Sequence, residues 1–188
     1  MTHRTFKPRQ KSSGGSPSLA RLGGVVPASF ISAAKQASKR MAELGVSHVL
    51  IGGMAVGAHG YPRPTKDVDF LVGEEAFEHH GSIVTLQAGL PIAVGKVAID
   101  MVSLGSKERS ICKRFLRLPT EGVVPIIPIE ALVYMKLHAG RQRDRGDVVE
   151  LIKVGAVDDK KMSAFLRKNA PSLLRLWYEL SSAAESEN

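Results

Sequence analysis

Asp67 and Asp69 stand two residues apart at the start of an apolar run, Asp67-Val68-Asp69-Phe70-Leu71-Val72. On a strand that spacing turns both carboxylates to one face. Two like charges on a shared face repel unless a cation, a base or water compensates. Magnesium suits such a pair, because it takes oxygen ligands and usually reaches a protein through one or two carboxylates plus substrate phosphates. A short apolar run upstream ends in Gly52-Gly53, where the missing Cβ atoms let the backbone approach a ligand closely. The two motifs predict one cleft with its phosphate side at Gly52-Gly53 and its metal side at Asp67 and Asp69. Asp100 lies in the middle of a further apolar segment, where an ionised carboxylate is costly unless paired. Taken alone it reads equally well as a core-edge carboxylate paired with a Lys or Arg. Beside Asp67 and Asp69 it reads as a third carboxylate, completing the oxygen shell for two magnesium ions.

These residues need strands and turns to hold them. The apolar periodicity predicts a first helix with Ser29 as N-cap, Phe30, Ala34, Ala37, Met41 and Leu44 at helical spacing, and Gly45 as its stop. Val46 to Ile51 reads as a buried strand and Met54 to His59 as a short helix after the glycine turn. Tyr61-Pro62-Arg63-Pro64 is a loop, since two prolines in three positions end helical geometry. Asp67 to Val72 is a second strand, and Glu74 to His80 is a short helical candidate. Gly89 to Val94 and Val97 to Leu104 form a hairpin about Gly95-Lys96. Beyond Gly105 the pattern turns helical. Lys107 to Leu116 is basic, and Pro128 opens a helix running to about His138. Ala139 to Gly146 is a polar turn, Asp147 to Lys153 begins the next helix, and two more follow at Asp158 to Lys168 and Pro171 to Ser181. In the last of these, Leu173, Leu176, Trp177 and Leu180 make a packing stripe.

Composition narrows the class. The chain has 188 residues, 44% apolar, which suits one ordinary domain or two small lobes sharing a core. No apolar run reaches the length of a membrane span. The single cysteine, Cys112, excludes an intrachain disulfide, is consistent with a reducing compartment, and reads as a small buried hydrophobe. His79-His80 does not read as a zinc site, because adjacent side chains do not share a face and no third ligand stands at suitable spacing. The net charge of +8 is localised: residues 1–42 hold eight Lys or Arg and no acid, and from residue 43 onward the signs balance at 18 each. Residues 1–26 are rich in Pro, Gly and Ser and are expected to be a disordered basic arm. Such an arm is either a phosphate-backbone contact or a solvated tail.

Gly52-Gly53, Arg63-Pro64-Thr65-Lys66-Asp67-Val68-Asp69, Asp100, Lys136 and Arg143-Asp144-Arg145-Gly146-Asp147 occur in that order. Together they resemble the nucleotidyltransferase superfamily with a DNA polymerase beta-like core. Within it the chain looks most like the bacterial AbiEii-type family, which includes toxins of type IV toxin–antitoxin systems. The resemblance covers about residues 46 to 153. It implies an α/β fold (α+β by some schemes): a small mixed β-sheet core with flanking helices and a helical C-terminal lobe. The corresponding division is an arm at 1–26, a catalytic core at 27–106 and a helical lobe at 107–188.

The resemblance further implies that Asp67, Asp69 and Asp100 are catalytic and bind Mg2+ or Mn2+. It places Gly52, Gly53, Arg63, Thr65, Lys136 and Asp147 at the nucleotide. Where the superfamily often has Ser after the first glycine, this chain has Gly53, which removes a hydroxyl but keeps the backbone amides. For Lys136 the residues alone leave another reading open, a stem covering apolar surface with its ammonium in water. The implied activity is transfer of an NMP from an NTP, ATP or GTP, to an acceptor hydroxyl in the cytoplasm. Acceptors compatible with it are tRNA or another RNA, a protein, or a small molecule, and a cognate antitoxin protein is an implied partner. A nucleic-acid-binding protein without chemistry, or a non-catalytic partner subunit, remains the contrasting reading.

Overall fold

A computed structural model describes residues 16–103, 111–120 and 122–187. Six strands and six α-helices carry the architecture among these residues. Helix α1 (Ala28–Glu43) precedes β1 (His48–Leu50), α2 (Gly52–Ala58) and β2 (Asp67–Val72). The chain then forms β3 (Phe77–His80), β4 (Ile83–Leu86), β5 (Ala93–Val94) and β6 (Val97–Val102). The remaining helices are α3 (Ile129–Ala139), α4 (Gln142–Lys153), α5 (Asp159–Asn169) and α6 (Leu174–Ser186). This is the expected mixed α/β fold, a small sheet flanked by helices with a helical C-terminal lobe.

The main sheet runs in the order β1-β2-β6-β5. Its centre is the parallel pair β2 and β6, with β1 and β5 antiparallel at the two sides. The β5–β6 hairpin turns at Gly95-Lys96 as the sequence indicates, and β3–β4 forms a separate two-stranded sheet. Strand alternation divides the residues between two apolar clusters. Val68, Phe70, Val97 and Ile99 pack under α1 with Ala33, Ala34, Ala37 and Met41. Val49, Ile51 and Leu71 instead join α3 to α6 through Leu132, Leu137, Leu151, Leu166 and Trp177. The face of β2 that carries Asp67 and Asp69 is therefore covered by the helical lobe at Leu71 and open at the carboxylates. Trp177 is buried there and donates from Nε1 to Asp159 Oδ1 at 3.0 Å, which confirms its packing role.

Several boundaries differ from expectation. Helix α1 begins at Ala28 with Pro27 as N-cap, not at Ser29; the fixed φ of proline suits a helix entrance. Its end follows the glycine stop: Val46 N–H bonds to Met41 C=O and Gly45 N–H to Ala42 C=O, the paired bonds of a Schellman cap. Glu74–Ala76 is a single 3-10 turn, and Phe77–His80 is a strand instead of helix, because it pairs with β4. Residues 16–26, assigned to the arm from composition, are packed. Leu19–Leu22 forms a 3-10 turn against α2, and Leu22 and Val26 are buried. Residues 1–15, and 107–110 of the basic Lys107 to Leu116 segment, lie outside the described residues; Lys113–Phe115 forms a 3-10 turn. The Cys112 side chain is buried, and His79 and His80 sit on exposed β3.

Candidate metal centre and the ion network behind it

The parallel register of β2 and β6 sets Asp69 beside Asp100, with Asp67 beside Ala98. Neighbouring residues of paired strands point to the same face, so all three carboxylates emerge together. One oxygen from each lies within 4.8 Å of the others. The apolar residues around Asp100 predict a buried position for it. It is exposed, because Val97 and Ile99 take the buried face of β6 and Ala98, Asp100 and Val102 alternate onto the solvent side.

Asp69 is the constrained member. Gly52 begins α2 with φ of 65°, and a Cβ there would lie 1.8 Å from Asp69 Oδ2. The bare glycine thus provides the seat for Asp69, and the Gly53 N–H donates to its carboxylate. Burial, and then the charges of Asp67 and Asp100, push the Asp69 carboxyl up to about 6, against the opposing pull of Lys136 and the Gly53 amide. Thr65 Oγ1 lies 3.2 Å from Asp67 Oδ1 and from the Asp67 carbonyl oxygen, and donates toward them. A Cβ on Gly53 would meet Thr65 Oγ1 at 2.9 Å and an Arg63 nitrogen at 3.2 Å, so both glycines are required by close neighbours.

Behind the carboxylates lies a second set of charges. Lys136 Nζ donates to Asp144 Oδ1 at 3.0 Å and to Asp147 Oδ2 at 2.6 Å. Arg63 forks onto Asp147, Nε to Oδ1 at 2.6 Å and Nη2 to Oδ2 at 2.7 Å. Arg141 Nε donates to Asp144 Oδ2 at 2.6 Å, and Arg143 donates to the Pro64 carbonyl at 3.0 Å. Burial alone would raise both aspartates. Arg63 and Lys136 outweigh it at Asp147, and Arg141 and Lys136 at Asp144, holding both carboxyls below the usual range.

This geometry corrects two readings. The Lys136 ammonium is buried between carboxylates, so the alternative that sends it to water does not hold. The segment from Gln142 is already helix α4, with Gly140 in the left-handed conformation ending α3 and Arg141 as N-cap. Asp144 and Asp147 therefore stand three apart on one helical face toward Lys136. The sequence pattern sets Asp144 and Arg141 in a polar turn and gives neither a place at the metal or nucleotide site. The i, i+3 spacing of Arg141, Asp144 and Asp147 was the available signal, obscured by taking the segment as a turn.

The donor set fits a hard divalent cation. All three groups are carboxylates, which suit Mg2+, Mn2+ or Ca2+, and a cation would relieve the mutual repulsion that raises Asp69. Compared with known proteins, the chain matches no family model and no curated protein.

Proposed function

We propose that this chain is a metal-dependent nucleotidyltransferase that moves an NMP from an NTP to an acceptor hydroxyl. The observation that carries the reading is the gathering of Asp67, Asp69 and Asp100 from adjacent parallel strands beside Gly52-Gly53 at the start of α2. An anion binder without chemistry would gain nothing from three repelling carboxylates at its mouth.

Asp67, Asp69 and Asp100 would hold Mg2+ or Mn2+, which when bound supplies charge stabilisation to the attacking and leaving oxygens of an in-line displacement. Thr65 orients Asp67, and Gly52 with the Gly53 amide fixes Asp69. Asp100, the exposed carboxylate, is the member an acceptor can reach, and its oxygen takes the hydroxyl proton. The acceptor oxygen bonds to the α-phosphorus, the bond from that phosphorus to the β-phosphate bridge breaks, and pyrophosphate leaves. The fixed placement of these groups lowers the barrier by orientation.

Incubation of purified protein with magnesium, labelled NTPs and total RNA tests this directly. Wild type is expected to label an acceptor, and Asp69→Asn, which keeps shape and removes charge, to lose labelling by at least about a hundredfold. Equal labelling by the two proteins would overturn the mechanism. RNA is the first acceptor to try because the excess positive charge lies at the N-terminal end.

A further inference from the structure

A triphosphate adds negative charge to a site already lined by three carboxylates, so a nucleotidyltransferase reading requires a cation with hydrogen bonds to spare. The cations around the site differ in what they already hold. Lys136 has a side chain only 7% exposed and donates to both Asp144 and Asp147. Arg63 is 15% exposed and forks onto Asp147. Arg143 is tied to the Pro64 carbonyl.

Arg141 is different. Its side chain is 76% exposed, and it donates through Nε alone, to Asp144 Oδ2. Among the described residues its two terminal nitrogens have no partner. The grip is fixed, because Asp144 is buried and its other oxygen is held by Lys136. Arg141 also lies close enough to the carboxylates that Asp69, after the nearer Asp144, favours its charged form. Within the described residues no ion pair joins Arg141 to Asp69, so the guanidinium borders the carboxylates without closing them. A guanidinium anchored by Nε keeps a planar pair of donors available, and that pair matches two phosphate oxygens.

We propose that Arg141 grips the triphosphate of the incoming nucleotide through its two terminal nitrogens. The Lys136–Asp144 pair then acts as the support that aims it, and Lys136 serves the nucleotide through Arg141. This inference rests on the nucleotidyltransferase reading.

The test is calorimetric titration of a nonhydrolysable NTP with magnesium into wild type, Arg141→Gln and Arg141→Lys, with melting temperatures recorded for each. Loss of charge-assisted hydrogen bonds predicts affinity about 10- to 100-fold weaker for Arg141→Gln. Arg141→Lys, which keeps the charge and loses the fork, is expected to fall between the two. Melting temperatures should stay within a few degrees, since the side chain is exposed and Asp144 retains Lys136. If wild type binds the NTP and Arg141→Gln binds it equally well, the inference fails and the transferase reading stands. If wild type binds no NTP, the reading and the inference fail together.

Discussion

Asp69 illustrates how a single carboxylate can be both well placed and costly. Its carboxyl, ordinarily near 3.8, is raised to about 6 by burial and by Asp67 and Asp100. Between those two values the native state keeps a proton that the unfolded chain has released. The unfolded state then binds fewer protons, so stability falls as pH rises through that window and the full cost stands above it. The size is on the order of 2 kcal/mol for a half-buried group. Asp144 and Asp147 act in the opposite sense: their carboxyls are depressed, so their contribution is present above the ordinary carboxylate range and lost as pH falls below it. Thermal melts of metal-free protein from pH 4 to 6.5 should show a decline that Asp69→Asn flattens. Magnesium should raise the wild-type melting temperature more at pH 7.5 than at pH 5, where it competes with the Asp69 proton. Identical pH profiles for the two proteins would place Asp69 outside a repelling cluster.

At the scale of elements, α3 and α4 are joined to the loop before β2 by ions as well as by the packing of Tyr61 against their apolar cluster. Lys136 on α3 faces Asp144 and Asp147 on α4, and Arg63 and Arg143 reach across from either side. Removing one member of a buried ion set leaves the others desolvated without compensation. Lys136→Met keeps much of the side-chain volume and deletes the charge. The expected loss is about 2–4 kcal/mol, since Arg63 and Arg141 still serve the two aspartates, or a melting temperature lower by roughly 5–10 °C. An unchanged melting temperature together with lost NTP affinity would return Lys136 to direct phosphate contact, as the sequence resemblance implies.

For the whole molecule, the boundary of the basic leader decides how its function can be probed. Among the described residues no helix is long and apolar enough to cross a membrane. Leu22 and Val26 belong to the apolar cluster under α1, and Ser18 N–H bonds to the Ala58 carbonyl at the end of α2. Deleting residues 1–26 would therefore remove core side chains. Deleting residues 1–15 removes Arg4, Lys7, Arg9 and Lys11 and leaves those contacts intact. If the leader contacts RNA, the shorter deletion weakens binding across sequences alike and makes the salt dependence shallower by at most about 3–4 units of slope. The expected result is that weakening, with NTP affinity and melting temperature held. Superimposable RNA affinities and salt slopes for full-length and shortened protein would make the leader a bystander.

The local pattern was legible because period and punctuation act over a few residues. Asp67 to Val72 forms the strand its composition indicates, Gly45 ends α1, and Gly95-Lys96 turns the hairpin. The convergence of Asp67, Asp69 and Asp100 could be anticipated from alternation, but not secured by it: pairing β2 with β6 in parallel, with Asp69 opposite Asp100, is a long-range choice. The same holds for the exposure of Asp100, which depends on which face of β6 the helix α1 covers. Gly52 shows the limit most directly. Its sequence position suggests room for a phosphate, and the structure fills the space of its absent Cβ with Asp69. Lys136 could be found as a charge among apolar residues, yet its partners lie on a helix that starts at Gln142, inside a segment whose polar composition suggests a turn. Side-chain type and spacing determined which groups could do chemistry. Which of them meet, and which neutralise one another in the interior, was decided by tertiary packing, because charges separated along the chain interact only once the fold has brought them together out of water.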